Sequence, residues 1–120
     1  MKTSLPRMFV ALAWGIAAGA PHAAEDASDY PSRTVTIVVG FAPGGATDIT
    51  ARLLASRLTQ ALGKPFIVEN RPGANSNIGT EHVVRAKPDG YTLLMETIAN
   101  ATNMSAYKRL GYDTARDLRA

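Results

Sequence analysis

Three short apolar segments alternate with two helical ones between residues 34 and 95, and this alternation limits the possible architecture more than any other feature. Residues 34–40 (TVTIVVG) are β-branched almost throughout. Val35, Ile37 and Val39 fall on one face of the strand they predict, and Val38 adds apolar character to the other, as in a strand covered on both sides. Ile49, Leu53, Leu54, Leu58, Ala61 and Leu62 then recur at helical spacing, with Arg52, Arg57 and Gln60 outside that stripe. Gly63 stands where a helix ends. Phe66-Ile67-Val68 predicts a second strand, residues 78–86 a second and weaker helix, and residues 91–95 (YTLLM) a third strand after the turn Pro88-Asp89-Gly90. Right-handed βαβ crossovers turn this order into an α/β fold, a βαβαβ parallel sheet with helices on both faces.

That arrangement locates the functional loops. In open α/β sheets, ligands sit beyond the carboxyl ends of the strands. Residues 41–48, 70–77 and 96–103 meet this condition, and all three stretches are rich in Gly, Ala, Asn and Thr. Small side chains leave backbone N–H groups accessible, and the first two loops run into helix starts. A helix N-terminus carries roughly half a positive charge together with unpaired donors. The chemistry implied is capture of a carboxylate or phosphate without a dedicated cation.

The other residue types exclude several function classes. The 120 residues contain no Cys, which removes a disulfide framework, a thiolate metal site and a Cys nucleophile. His82 has no second His at ligand spacing, so no metal site is expected. Ser56, Ser76 and Ser105 lack a His and Asp constellation, so the chain is not expected to be an enzyme. A phosphate-loop Lys and the G-x-G-x-x-G spacing are both missing, which counts against nucleotides. No cofactor is implied. Each of the remaining candidates also has a structural reading. Gly44 and Gly45 suit a tight strand-to-helix turn, Thr47 and Asp48 suit a helix start, and Arg71 before Pro72 suits a solvated or carbonyl-bonding side chain.

Residues 1–24 are predicted to be a signal peptide. Lys2 and Arg7 precede 13 apolar residues, 8–20 (MFVALAWGIAAGA), a length suited to a signal-peptide core and short of the ~20 that span a bilayer. Cleavage after Ala23 or Ala24 is expected, placing the product in the periplasm of a double-membrane bacterium. Residues 25–33 (EDASDYPSR) then form a mature N-terminal tail. The leader also accounts for most of the charge. The chain has 13 Lys+Arg and 10 Asp+Glu, net +3; without Lys2 and Arg7 the balance is 11 − 10 = +1. Nucleic acid is therefore not an expected partner.

The loops themselves carry a family likeness. Phe41-Ala42-Pro43-Gly44-Gly45-Ala46-Thr47-Asp48 resembles the F-x-P-G-G-x-T-D loop of the substrate-binding receptors of tripartite tricarboxylate transporters, the Bug family. Val68-Glu69-Asn70-Arg71-Pro72-Gly73-Ala74, followed by Asn77-Ile78-Gly79, is similar to their V-E-N-R-P-G-A stretch. Pro88-Asp89-Gly90-Tyr91-Thr92-Leu93-Leu94 is similar to P-D-G-Y-T-L-L, and Tyr107-Lys108-Arg109-Leu110 with Tyr112-Asp113 echoes a later block. Asn75-Ser76 stands where the family often has Gly-Gly, and Glu96 where a small residue is common.

The resemblance implies a periplasmic receptor that closes two lobes on a small organic carboxylate, working with the membrane components of such a transporter. Residues 34–120 would form the first part of one lobe, of the type II-like periplasmic-binding-protein kind, with the chain a truncated N-terminal portion. Ligand contacts would fall on residues 41–48, chiefly Ala42 to Thr47, with Asp48 either orienting the loop or meeting a ligand amino group. Ala74, Asn75, Ser76 and Asn77 would contribute from the second loop, and Thr97, Ile98, Ala99 and Asn100 from the third. Two alternatives stand beside this reading: a truncated product without function, and an anion- or nucleotide-binding half-domain of an α/β enzyme.

Overall fold

The computed structural model describes residues 29–119. The expected signal peptide, and the part of the expected tail before residue 29, lie outside the described residues.

The element order is β1 (Val35–Val39), α1 (Ala46–Leu62), β2 (Phe66–Asn70), α2 (Asn77–Val84), β3 (Thr92–Leu94), α3 (Ile98–Ala106) and α4 (Thr114–Asp117). The three strands form one parallel sheet in the order β2-β1-β3. The expected βαβαβ arrangement is therefore the observed one. β1 is central, pairing Val35 with Phe66 and Val39 with Asn70 on one side, and Thr36 with Thr92 and Val38 with Leu94 on the other. The chain moves outward from β1 in one direction through α1, then crosses back past it through α2. Right-handed crossovers of opposite direction place those helices on opposite faces.

Side-chain burial follows this division. Val35, Ile37 and Val39 form a cluster with Ala51 and Ala55 of α1, Phe66 and Tyr91. Val38 points the other way and is also fully buried, on the side where α2 packs against β1 and β3. α2 comes close to the end of β1: a Cβ placed on Gly79 would lie 3.0 Å from the Gly40 Cα and 3.1 Å from the Arg71 carbonyl oxygen.

One expectation needs correction here. Of the helical stripe assigned to α1, only Leu58 packs against the core; Ile49 and Leu53 are 61% exposed, and Leu54 and Leu62 are exposed as well. The helix meets the sheet through Ala51 and Ala55, whose small side chains permit close approach, with Leu58 beside them. Residues 29–33, the described part of the expected tail, are tied to the fold. The Tyr30 hydroxyl donates to the Gly90 carbonyl at 2.6 Å, and the Ser32 N–H donates to the Tyr91 hydroxyl at 2.8 Å. Arg33 pairs with Asp89 at 3.0 Å and stacks 3.8 Å above the Tyr91 ring. These contacts strap the chain to the turn that leads into β3.

Candidate functional site

The parallel strands end at one edge of the sheet, and the segments that leave them form the candidate site. β1 is followed by α1 on one face, and its neighbour β3 by α3, which packs on α2 at the other face. Adjacent strands whose connections depart to opposite faces open a crevice between them, the usual position of a ligand in such sheets.

The first loop is built to present its backbone. Phe41 packs against the core, and Ala42, Pro43, Gly44, Gly45 and Ala46 are exposed. Gly44 adopts φ 88°, a left-handed conformation that glycine accepts freely. Gly45 is the N-cap of the 17-residue helix α1 and has no side chain to satisfy the first-turn N–H groups. Those donors, with the helix dipole behind them, remain for an outside acceptor.

Asp48 has a different task. It is buried, and its Oδ2 accepts the Gly44 N–H at 2.9 Å and Arg52 Nε at 3.0 Å. Its Oδ1 accepts Asn70 Nδ2 at 2.9 Å. Asn70 Nδ2 also reaches the Phe41 carbonyl at 3.0 Å, and Arg52 Nη2 reaches Asn70 Oδ1 at 2.9 Å. Asp48, Arg52 and Asn70 thus tie the first loop to the end of β2. The Arg52 guanidinium, then the Gly44 N–H and the Asn70 carboxamide, hold the Asp48 carboxyl at about 2, below its ordinary 3.8. Of the two roles open to Asp48, the geometry gives the orienting one. Arg52 and Asn70 were not among the expected site residues; an Asp and an Arg at i,i+4 on a helix was the readable signal.

The second loop is conformationally unusual. After Gly73 at φ 132°, three successive non-glycine residues have positive φ: Ala74 at 47°, Asn75 at 53° and Ser76 at 75°. Of the four residues expected to contribute from this loop, Ala74 and Asn75 are exposed, and Ser76 and Asn77 are buried. The Ser76 side chain points toward Gly40, where an added Cβ would fall 1.9 Å from its Oγ. Asn77 Oδ1 accepts from Asn103 Nδ2 at 2.7 Å and from the Tyr112 hydroxyl.

The third loop is shorter than expected, because α3 begins at Ile98. Thr97 is its N-cap, Ile98 is 82% exposed, and Ala99 is half-buried. Asn100 is fully buried. Its Oδ1 accepts the Thr97 N–H at 2.8 Å, and its Nδ2 donates to Thr80 Oγ1 at 2.7 Å. Glu96, a carboxylate that would repel an anion, lines the groove along the free edge of β3. Arg71 is taken up by Glu69, 2.7 Å away. Among the described residues, no group of three or more His, Asp or Glu is arranged to hold a metal ion. The arrangement therefore offers the uncapped N-terminus of α1 and small side chains to a negatively charged group.

Comparison with known proteins points the same way. The description "Tripartite tricarboxylate transporter family receptor" matches residues 50–120. The protein BugT of Bordetella pertussis is 36% identical over 117 residues, covering 96% of this chain and 36% of that protein. The structure of the periplasmic binding protein BugD superposes with a TM-score of 0.67 at 48% identity, covering 70% of this chain and 28% of that one. MatC from Rhodopseudomonas palustris with bound malate gives a TM-score of 0.66 at 35% identity, covering 73% and 30%. The chain thus spans about a third of the length of the relatives it matches. The family is one of transport receptors rather than enzymes, and its matched region takes in β2, β3 and two of the three loops described above. This chain belongs to the tripartite tricarboxylate transporter receptor family.

Proposed function

We propose that the chain supplies the anion-facing loops of an exported receptor that captures a small organic carboxylate for a tripartite tricarboxylate-type transporter. The observation that carries this reading is the convergence of the starts of α1, α2 and α3 at one end of a parallel sheet, with an uncapped glycine leading the longest of them. The malate in MatC supports the ligand class. The ligand carboxylate meets the first-turn N–H groups of α1 within the loop of Phe41 to Thr47. Ala74, Asn75, Thr97, Ile98 and Ala99 border it, while Asp48, Ser76, Asn77 and Asn100 act from inside the fold. Export rests on the leader, residues 1–24, and its check is the N-terminus of the product: periplasmic material beginning near Glu25 is expected, and soluble cytoplasmic protein retaining Met1 refutes export.

Gly45 offers the direct test. Its φ of −79° is open to any residue, and an added Cβ meets only the Ala42 carbonyl oxygen, at 3.9 Å. Gly45→Val in a chimera carrying the remainder of a complete receptor leaves folding intact and places a branched side chain where the anion must approach. Calorimetry is expected to show at least about tenfold weaker carboxylate binding, the scale of one or two lost charge-assisted hydrogen bonds. Unchanged affinity removes the loop from the site.

A further inference from the structure

The three loops proposed to receive a carboxylate carry the wrong charge for it. Residues 41–48, 70–77 and 96–103 contain two acids, Asp48 and Glu96, and one base, Arg71, a balance of 1 − 2 = −1. Arg71 is paired with Glu69 at 2.7 Å, and Glu96 lines the groove along β3. Asp48 is the greater obstacle. It stands in the first turn of α1, and its Oδ2 accepts the Gly44 N–H at 2.9 Å, within the loop that the ligand enters. Like charges this close repel, and more so where water is partly excluded. The N-terminal dipole of α1 is equivalent to about half a unit charge, so an uncompensated Asp48 would outweigh it.

Arg52 supplies the missing charge. It lies one turn further along α1, outside all three loops, and its Nε donates to the same Asp48 Oδ2 at 3.0 Å. Its Nη2 donates to Asn70 Oδ1 at 2.9 Å, so the guanidinium is held at two points. Asn70 also bonds to Asp48, at 2.9 Å, but a carboxamide is neutral and leaves the charge of its partner in place. Among the described residues, Arg52 is the one ion-pair partner of Asp48. The pair is asymmetric. The Asp48 side chain is 4% exposed and that of Arg52 is 52% exposed, so the negative member is enclosed while the positive one reaches solvent.

We propose that Arg52 is a specificity-determining residue of the carboxylate site, acting through Asp48: by neutralising that side chain, it lets a loop with a carboxylate of its own accept an anion. The proposal rests on the carboxylate reading above and assigns the sign of the site to a residue outside the loops.

The test is nuclear magnetic resonance on the labelled chain, titrated with malate and adipate and followed at the Ala46 and Thr47 amides. Wild type is compared with Arg52→Gln, Asp48→Asn and the double variant, in salt of about 0.1 M and about 1 M, where the Debye length falls from ~10 Å to ~3 Å. Affinity is expected to follow the charge left on the pair. In the lower salt, Arg52→Gln binds about tenfold more weakly, Asp48→Asn binds several-fold more tightly than wild type, and the double variant lies within about threefold of it. In the higher salt these differences shrink. A residue that only braced the loop predicts another pattern: all three variants weaken, and salt leaves their ratios alone. That pattern overturns the proposal. If Arg52→Gln does not fold, Asp48→Asn decides, and binding no tighter than wild type overturns the proposal. Unchanged binding in Arg52→Gln overturns the role of Arg52 and leaves the carboxylate reading standing. No response to either probe at Ala46 and Thr47 of the wild type sinks the carboxylate reading, and the role of Arg52 with it.

Discussion

Asp48 separates two kinds of acidic residue that a sequence presents alike. Beside an anion site, a free carboxylate would repel the ligand. Here its charge is consumed by Arg52, the Gly44 N–H and Asn70, so it fixes the loop without contributing a repulsive field to the crevice. The same bonds lower its folded-state acidity constant to about 2 from 3.8. A depressed folded value means stabilisation that is fully present above the unfolded value and lost as pH falls toward the folded one. Asp48→Asn is therefore expected to melt lower than wild type at neutral pH, with the difference shrinking as pH falls from 3.8 to about 2. Melting temperature followed against pH in both proteins checks this. A constant difference across that window would mean that the carboxylate's charge plays no part in holding the loop. Asp117, held at about 2 by Arg116, loses its own contribution over the same range in both proteins and cancels in the comparison.

At the scale of elements, α1 and α3 show what hydrophobic periodicity can and cannot report. β1, β2 and their connection were legible because branched and small residues dictate strand and turn directly. α1 was legible as a helix, but its buried side was not. Periodicity weighs Ile and Leu most heavily, whereas the buried contact with the sheet is made by Ala51 and Ala55, with only Leu58 of the larger residues beside them. Ala51→Leu, at a position with no exposed surface, is expected to destabilise by ~1–3 kcal/mol through overpacking. Leu53→Ala, at a residue 61% exposed, should stay within ~0.5 kcal/mol. Urea denaturation of both variants measures this, and a larger loss in Leu53→Ala would restore the Leu stripe as the packing face. α3 was read as a loop because IANATNMSA turns Asn100 and Asn103 toward the interior, so the three-residue spacing that marks its buried face is written in carboxamides. Ser76, Asn77 and Asn100 show the same reversal, being polar and yet buried. Polar residues in a loop read as solvent-facing unless their partners, distant in sequence, are known.

At the scale of the molecule, both outer strands of the sheet have an unpaired edge among the described residues. Ile49, Leu53, Leu54, Leu62 and Ile67 are exposed on α1 and β2. Apolar area of this kind promotes association, as do unpaired strand edges. In the proposed reading the three loops approach a ligand from one side. An exposed helix-end contact is worth ~0.3–1 kcal/mol. Immobilising a ligand costs ~4 kcal/mol or more, so affinity tighter than millimolar requires closure from a second side. A polypeptide of residues 25–120 is accordingly expected to self-associate in light scattering and to bind dicarboxylates no tighter than the millimolar range in calorimetry. A monomer with micromolar affinity would mean that these loops form a complete site. The strand order has a further consequence, in time rather than space. Among the described strands, β1 is the first to be synthesised and the most apolar, yet it lies between two partners made later. Its second ladder closes only when Leu94 has appeared, and the strap at Tyr30 waits for Gly90. A growing chain must therefore carry VTIVV with one edge unpaired from the completion of β2 at Asn70 until Leu94 is made, and that ribosome-bound intermediate is the stage at which a holding chaperone has the most to bind.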